Sequence, residues 1–153
     1  MRAGGRCFRP ATLLNRAKPA ARARVEQLMT DLYRAVVEQG PDAIIFADRE
    51  GIIRLWNARA EEMFGYAASE AVGRSLDLII PPHLRAAHWR GYHQAIAAGR
   101  TRSVGKAMLT RATHKDGSKV YVEVAFGIVS DKQQGVLGAL ATARKSSKPQ
   151  ASG

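Results

Sequence analysis

From Ser118 to Val129 the chain reads SKVYVEVAFGIV, and its apolar side chains alternate. Val120, Val122, Val124, Phe126 and Ile128 fall on one side of an extended backbone, and Tyr121, Glu123 and Ala125 fall on the other. A period of two held over this length describes a strand with one buried face, and a helix does not fit it. Such a strand needs neighbours on both sides and a layer to cover it. SVGKAMLTRAT (103–113) precedes it across the turn His114-Lys-Asp-Gly117, and GVLGALATA (135–143) follows it across SDKQQG. Upstream, the short apolar runs Ala43–Ala47 and Ile52–Trp56 flank Asp48-Arg-Glu-Gly51 and form a second hairpin.

Helical signals fill the space between the hairpins. Asn57 stops the strand and is placed to cap a short helix carrying Met63 and Phe64, which Gly65 ends. A second short helix opens at Ser69 and closes at Gly73, and prolines introduce a longer one that Gly99 terminates. The expected fold is α+β: a five-stranded antiparallel sheet with its helices on one face. Ahead of it, Val25, Leu28, Met29, Leu32 and Val36 recur at three- and four-residue steps until Gly40-Pro41. This gives an N-terminal amphipathic helix over 21–39, which either packs on its own domain or pairs with the same helix of a second chain. Residues 1–20 read as a disordered basic arm and 145–153 as a disordered tail, leaving 41–144 as the domain.

The formal charge is +11, of which +5 lies in residues 1–40, +3 in 41–130 and +3 in 131–153. Charge gathered at the ends, with no helix-turn-helix, zinc finger or aromatic-studded basic strand, gives no organised nucleic-acid reading surface. A basic nucleic-acid-associated protein therefore stands only as a second alternative. The single cysteine, Cys7, rules out a disulfide framework within one chain, and no apolar run reaches membrane-spanning length. A cytoplasmic location without a membrane partner is expected. No GxSxG, Walker loop or HExxH occurs, and Glu61, Glu62, Asp116 and Glu123 have no convergent partner, so no enzyme is expected.

The segment HLRAAHWRGYHQAIAAGR (83–100) holds three histidines at spacings of five, which on a helix turns each away from the next. At 100° per residue, Leu84, His88, Tyr92, Ala95 and Ile96 share one face, with His88 in the middle of the stripe and His93 near its edge. A histidine there either hydrogen-bonds a carbonyl or hydroxyl as part of the core, or serves as axial ligand to a flat cofactor between helix and sheet. Spacing alone leaves both open.

The stretches PDAIIFADREGIIRLWNARAEEMFGYAASEAVG, LIIPPHLR and KDGSKVYVEVAFGIV together resemble a PAS domain, from Pro41 to about Arg144. PPHLRAAHWRGYHQAIAAGRTRSVGKAMLTRATHKDG is further similar to the haem-binding PAS domains of the FixL and Dos type, without gaps from the prolines to Gly117. The resemblance implies haem b, with His88 as the axial iron ligand. It also implies that Val104 on one strand and Val124 and Phe126 on the next line the distal pocket, with Tyr92 among the cofactor contacts. Met108 stands where FixL-like domains have an oxygen-bonding arginine, and a thioether cannot donate. Dos-like domains ligate iron with a methionine two positions earlier, where this chain has Lys106. Two residues along a strand keep the same face, so Met108 is a candidate sixth ligand, its other role being to fill the core. Arg100, Arg102 and Lys106 are candidates for holding haem propionates.

No cysteine occurs between Phe8 and Gly153, which disfavours PAS chemistries with a cysteine-attached flavin or chromophore. The expectation is a stand-alone sensory and signal-transduction module that answers to a diatomic gas or redox state. A cofactor-free PAS interaction and dimerisation module is the alternative. Arg144-Lys145 and Ser147 replace the Asp-x-Thr element that leads to an output domain in similar chains. The expected partners are thus a second copy, through residues 21–39, and a separate signalling protein in trans.

Overall fold

The computed structural model describes residues 18–147. The expected arm over 1–20 lies outside the described residues up to Ala17, and the tail lies outside them from Lys148. Two compact units are resolved, divided after Val36. The first is helix α1, Pro19–Gln39, up to that division. Val25, Leu28, Met29, Leu32 and Val36 line one stripe of it and are all exposed, while an Arg22–Glu26 ion pair at 2.9 Å lies one turn apart on its surface.

The second unit is the sheet with its covering helices. β1 (Ala43–Asp48) and β2 (Ile53–Trp56) form the first hairpin, and β3 (Met108–Thr113), β4 (Lys119–Asp131) and β5 (Gly135–Lys145) form a meander. The strand order is β2-β1-β5-β4-β3, antiparallel throughout. Between the hairpins come α2 (Ala58–Phe64), α3 (Ala68–Ala71), a 3-10 turn at Leu76–Leu78 and α4 (Pro82–Ala98). The alternation that opened the sequence is the core: Val120, Val122 and Val124 are buried against Ile45, Phe64 and Ile79, whereas Glu123 is exposed. Among the described residues no helix is long and apolar enough to cross a membrane.

Asn57 is wholly buried and its amide is fully used. Oδ1 accepts from the Ala60 N–H at 3.0 Å, capping α2, and from the Ile44 N–H at 2.8 Å. Nδ2 donates to the carbonyls of Val37 at 2.8 Å and Asp42 at 3.0 Å. One side chain therefore ties the start of β1, the start of α2 and the residues just before the sheet. At the same end of β1, Arg144 at the end of the neighbouring β5 donates to the Asp42 carboxylate at 2.6 Å.

Three local expectations are corrected. Residues 103–107 are not strand: Gly105 has φ +73°, and the Lys106 N–H donates to Ser103, so the chain turns there and β3 begins at Met108. Val104 consequently lies in a turn, 72% exposed, rather than on a strand. Ile52 forms an isolated bridge to Ser75 and β2 starts one residue later. Helix α3 opens at Ala68 rather than Ser69, because the Glu61 and Glu70 carboxylates accept the free N–H groups of Ala68 and Ala67.

Replacing Asn57 by Ala leaves buried donors and acceptors unpaired and removes a cap, a loss of about 3 kcal/mol. Asn57→Ser keeps a capping oxygen and is expected to recover about 1 kcal/mol of it. Urea unfolding of the two variants measures both, and a loss below about 1 kcal/mol for Asn57→Ala contradicts the assignment.

Candidate functional site

Helix α4 crosses the buried face of the sheet and a cavity separates the two. An outer chamber of about 1060 Å³ is lined by His88, Tyr92, Met108, Phe126 and Ile128, with Arg100, Arg102 and Val104 at its turn-side wall. An inner chamber of about 300 Å³ shares His88, Tyr92, Met108 and Phe126 and reaches Val122 and Val124. These volumes are those of ligand pockets. Small side chains make the room: Ala87, Gly91, Ala95 and Ala98 on the helix and Ala139 on β5 face the outer chamber.

His88 is half-buried, and its Nδ1 is buried without a hydrogen-bond partner among the described residues. The core reading required a carbonyl or hydroxyl partner there, and none is in reach. Burial holds the ring's pKa below the ordinary imidazole value of 6.5, with the Asp77 carboxylate opposing this and His93 adding to it. The ring is therefore neutral at pH 7 and retains a lone pair for coordination. Among the described residues no group of three or more His, Cys, Asp or Glu is arranged to hold a metal ion. A lone ring nitrogen holds a metal firmly only when the ligand brings the remaining coordination with it.

Met108 faces the same space. It pairs with Val124 in the β3–β4 register, and directly opposed residues share a face, so its thioether points toward α4 with Val124. The structure thus brings together His88, Met108, Tyr92, Val124 and Phe126. It leaves Val104 on the rim and Lys106 exposed, away from the chamber lining. His83 is exposed and paired with Arg111, and His93 is exposed and stacked on Trp89.

Tyr92 differs in one respect from the cofactor contact that the resemblance implies. Its ring lines both chambers, but its hydroxyl leaves them and donates to the β1 carbonyls, 2.5 Å from Asp48 and 3.1 Å from Ala47. Burial, with Asp48 nearby, pushes its pKa up to about 12. Sequence reasoning gave no role to Trp89, whose indole N–H donates to Asp77 at 2.8 Å and whose ring fills the space where a Gly51 side chain would stand. The only hint in the chain was Gly51 itself. Ile128, also unassigned, was foreseeable from its alternation with Phe126.

The PAS fold family model matches residues 31–145, and the chain belongs to the PAS family. Among curated proteins, the oxygen sensor protein DosP of Escherichia coli is 28% identical over 99 residues, 65% of this chain and 12% of that protein. The sensor protein FixL of Bradyrhizobium diazoefficiens is 29% identical over 98 residues, 61% of this chain and 19% of that protein. The chain thus spans less than a fifth of the length of these relatives. Among solved structures, the PAS domain of a protein from Colwellia psychrerythraea superposes with TM-score 0.66 at 22% identity, covering 76% of this chain and 96% of that one. The PAS domain of an HTR-like protein from Haloarcula marismortui gives 0.59 at 24%, covering 84% and 99%. At that identity these two structures speak for the fold alone.

The depressed His88 pKa has a defined sign. Well above pH 6.5 the ring is neutral in folded and unfolded chains alike and contributes nothing. As pH falls below 6.5 the unfolded chain takes up the proton first, so stability declines toward the folded pKa. Urea unfolding of the wild type is expected to weaken more steeply between pH 7.5 and 5.5 than that of His88→Phe, and equal slopes contradict the burial argument.

Proposed function

We propose that this PAS domain is a sensory module that binds haem b through His88 and answers to a diatomic gas or to redox state. The observation that carries the reading is the half-buried, neutral ring of His88, its Nδ1 without a partner among the described residues, in the lining of an apolar chamber. The relation to PAS segments of an oxygen sensor and of FixL adds to it. His88 would hold haem, which when bound would supply an iron able to take a gas or a further ligand.

The residues divide the remaining work. His88 holds its lone pair free because burial keeps it neutral. Phe126 and Val124 exclude water from the side facing the sheet. Arg100 and Arg102 at the wall offer guanidinium groups to the carboxylates of the ligand. Met108, on the β3 face toward α4, would offer its thioether as a further ligand. The module works without catalysis, in the cytoplasm. The exposed stripe of α1 joins two copies, and a separate protein receives the signal in trans. That same stripe favours a second reading, a cofactor-free dimerisation module.

A hemin titration of the purified chain separates these readings. A saturable Soret band is expected, with affinity lowered more than about 100-fold in His88→Ala, since even outer-shell partners of such ligands are worth 10–100-fold. No uptake by the wild type, in either oxidation state, contradicts the haem reading. Met108→Ala is expected to turn the ferrous spectrum from six- to five-coordinate, and an unchanged spectrum removes Met108 as a ligand. Sedimentation of the wild type and of Leu28→Glu/Leu32→Glu tests the second copy, with a dimer expected only for the former.

A further inference from the structure

We propose that Tyr92 is a positioning residue for His88: by tying α4 to the end of β1, its hydroxyl sets how deeply the His88 ring sits over the chamber. The inference rests on the haem reading of His88 and adds a residue to it. Tyr92 lies one turn beyond His88, their ring centroids 5.8 Å apart and the planes tilted by 34°. Its hydroxyl is the sole side-chain hydrogen bond from α4 to the central strands among the described residues. The others from this helix run to the preceding loop, from Arg85 to Ile80 and Asp77 and from Trp89 to Asp77, or to the edge strand β3, between His83 and Arg111. Because a chamber lies under most of the helix, its height above the sheet is set at this tether.

The acceptor end of the tether is itself fixed. The Ala47 carbonyl stands 2.0 Å from where a side chain on Gly138 would begin, so only glycine in β5 lets that carbonyl occupy its place. The β1–β2 register shifts between Phe46 and Ala47, which places the acceptors at a bulge. Trp89 seats the same stretch of helix from the neighbouring side, its ring edge-on to His88 at 5.0 Å and pressed on Gly51, whose φ is +80°. Of the two residues that flank the His88 ring, Tyr92 is thus bonded to β1 and Trp89 packs on the turn of the β1–β2 hairpin.

Tyr92→Phe removes only the hydroxyl. The Asp48 carbonyl keeps a donor in the Gly51 N–H at 2.9 Å, so the fold is retained, and circular dichroism checks this. In the ligand-free protein, labelled with ¹⁵N in histidine and held at pH 8, the His88 ring nitrogen shifts are expected to move while those of His83 and His114 stay. In the hemin titration, affinity is expected to fall about 10- to 100-fold with His88 still the ligand. Unmoved His88 shifts overturn the proposal whatever the haem result. Moved shifts with a wild type that takes no hemin sustain the positioning role and remove the haem reading. Moved shifts with unchanged hemin affinity overturn the claim that ring depth governs binding.

Discussion

A buried amide has two donors and an acceptor that must all be matched, and Asn57 matches them at one point where three segments meet. The demand is strict because an unmatched group in that setting costs about 1–3 kcal/mol. It places β1, the first turn of α2 and the backbone of Val37 and Asp42 relative to one another. The far end of β1 is held by a second buried polar side chain, the Tyr92 hydroxyl on the carbonyls of Ala47 and Asp48. Strand β1 is therefore pinned at both ends, once to the residues before the sheet and once to the helix above it.

Between these pins the packing is deliberately thin. On the helix side the chamber is bounded by the small residues Ala87, Gly91, Ala95 and Ala98, and Ala139 adds to the room from β5, while Trp89 and Tyr92 reach the hairpin. Interiors close-pack, and volume left among apolar side chains carries a cost that grows with its size. On our reading the chamber is ligand space, and the helix that spans it is held at its edge so that the space persists. The neutral ring of His88 lines that volume, and a flat apolar ligand there replaces lost packing.

Much of this was legible in the chain because it is carried by short-range periodicity. Val120, Val122 and Val124 announced a one-faced strand, Asn57 announced a cap, and the helical stripe singled out His88 from three evenly spaced histidines. Val104 misled because its apolar character suggested a strand, whereas Gly105 supplies a left-handed turn that shortens β3. The tether of Tyr92 joins residues 44 and 45 positions apart, and the Trp89–Asp77 bond joins a helix to the loop before it. Neither leaves a periodic trace, since a tyrosine on an apolar stripe looks the same whether its hydroxyl enters a cavity or leaves it. The other three hydrogen bonds of Asn57, with Ile44, Val37 and Asp42, were likewise beyond local pattern, because only the folded sheet brings those backbone groups to its amide.

The central claim is that one particular ring nitrogen is the protein's hold on its ligand. Pulsed electron paramagnetic resonance of the ferric, hemin-loaded protein, with ¹⁵N placed only in histidine, reads that nitrogen directly. The account predicts hyperfine coupling to a single histidine ring that disappears when His88 is replaced by alanine. Absence of histidine coupling, or coupling that survives the replacement, would contradict it.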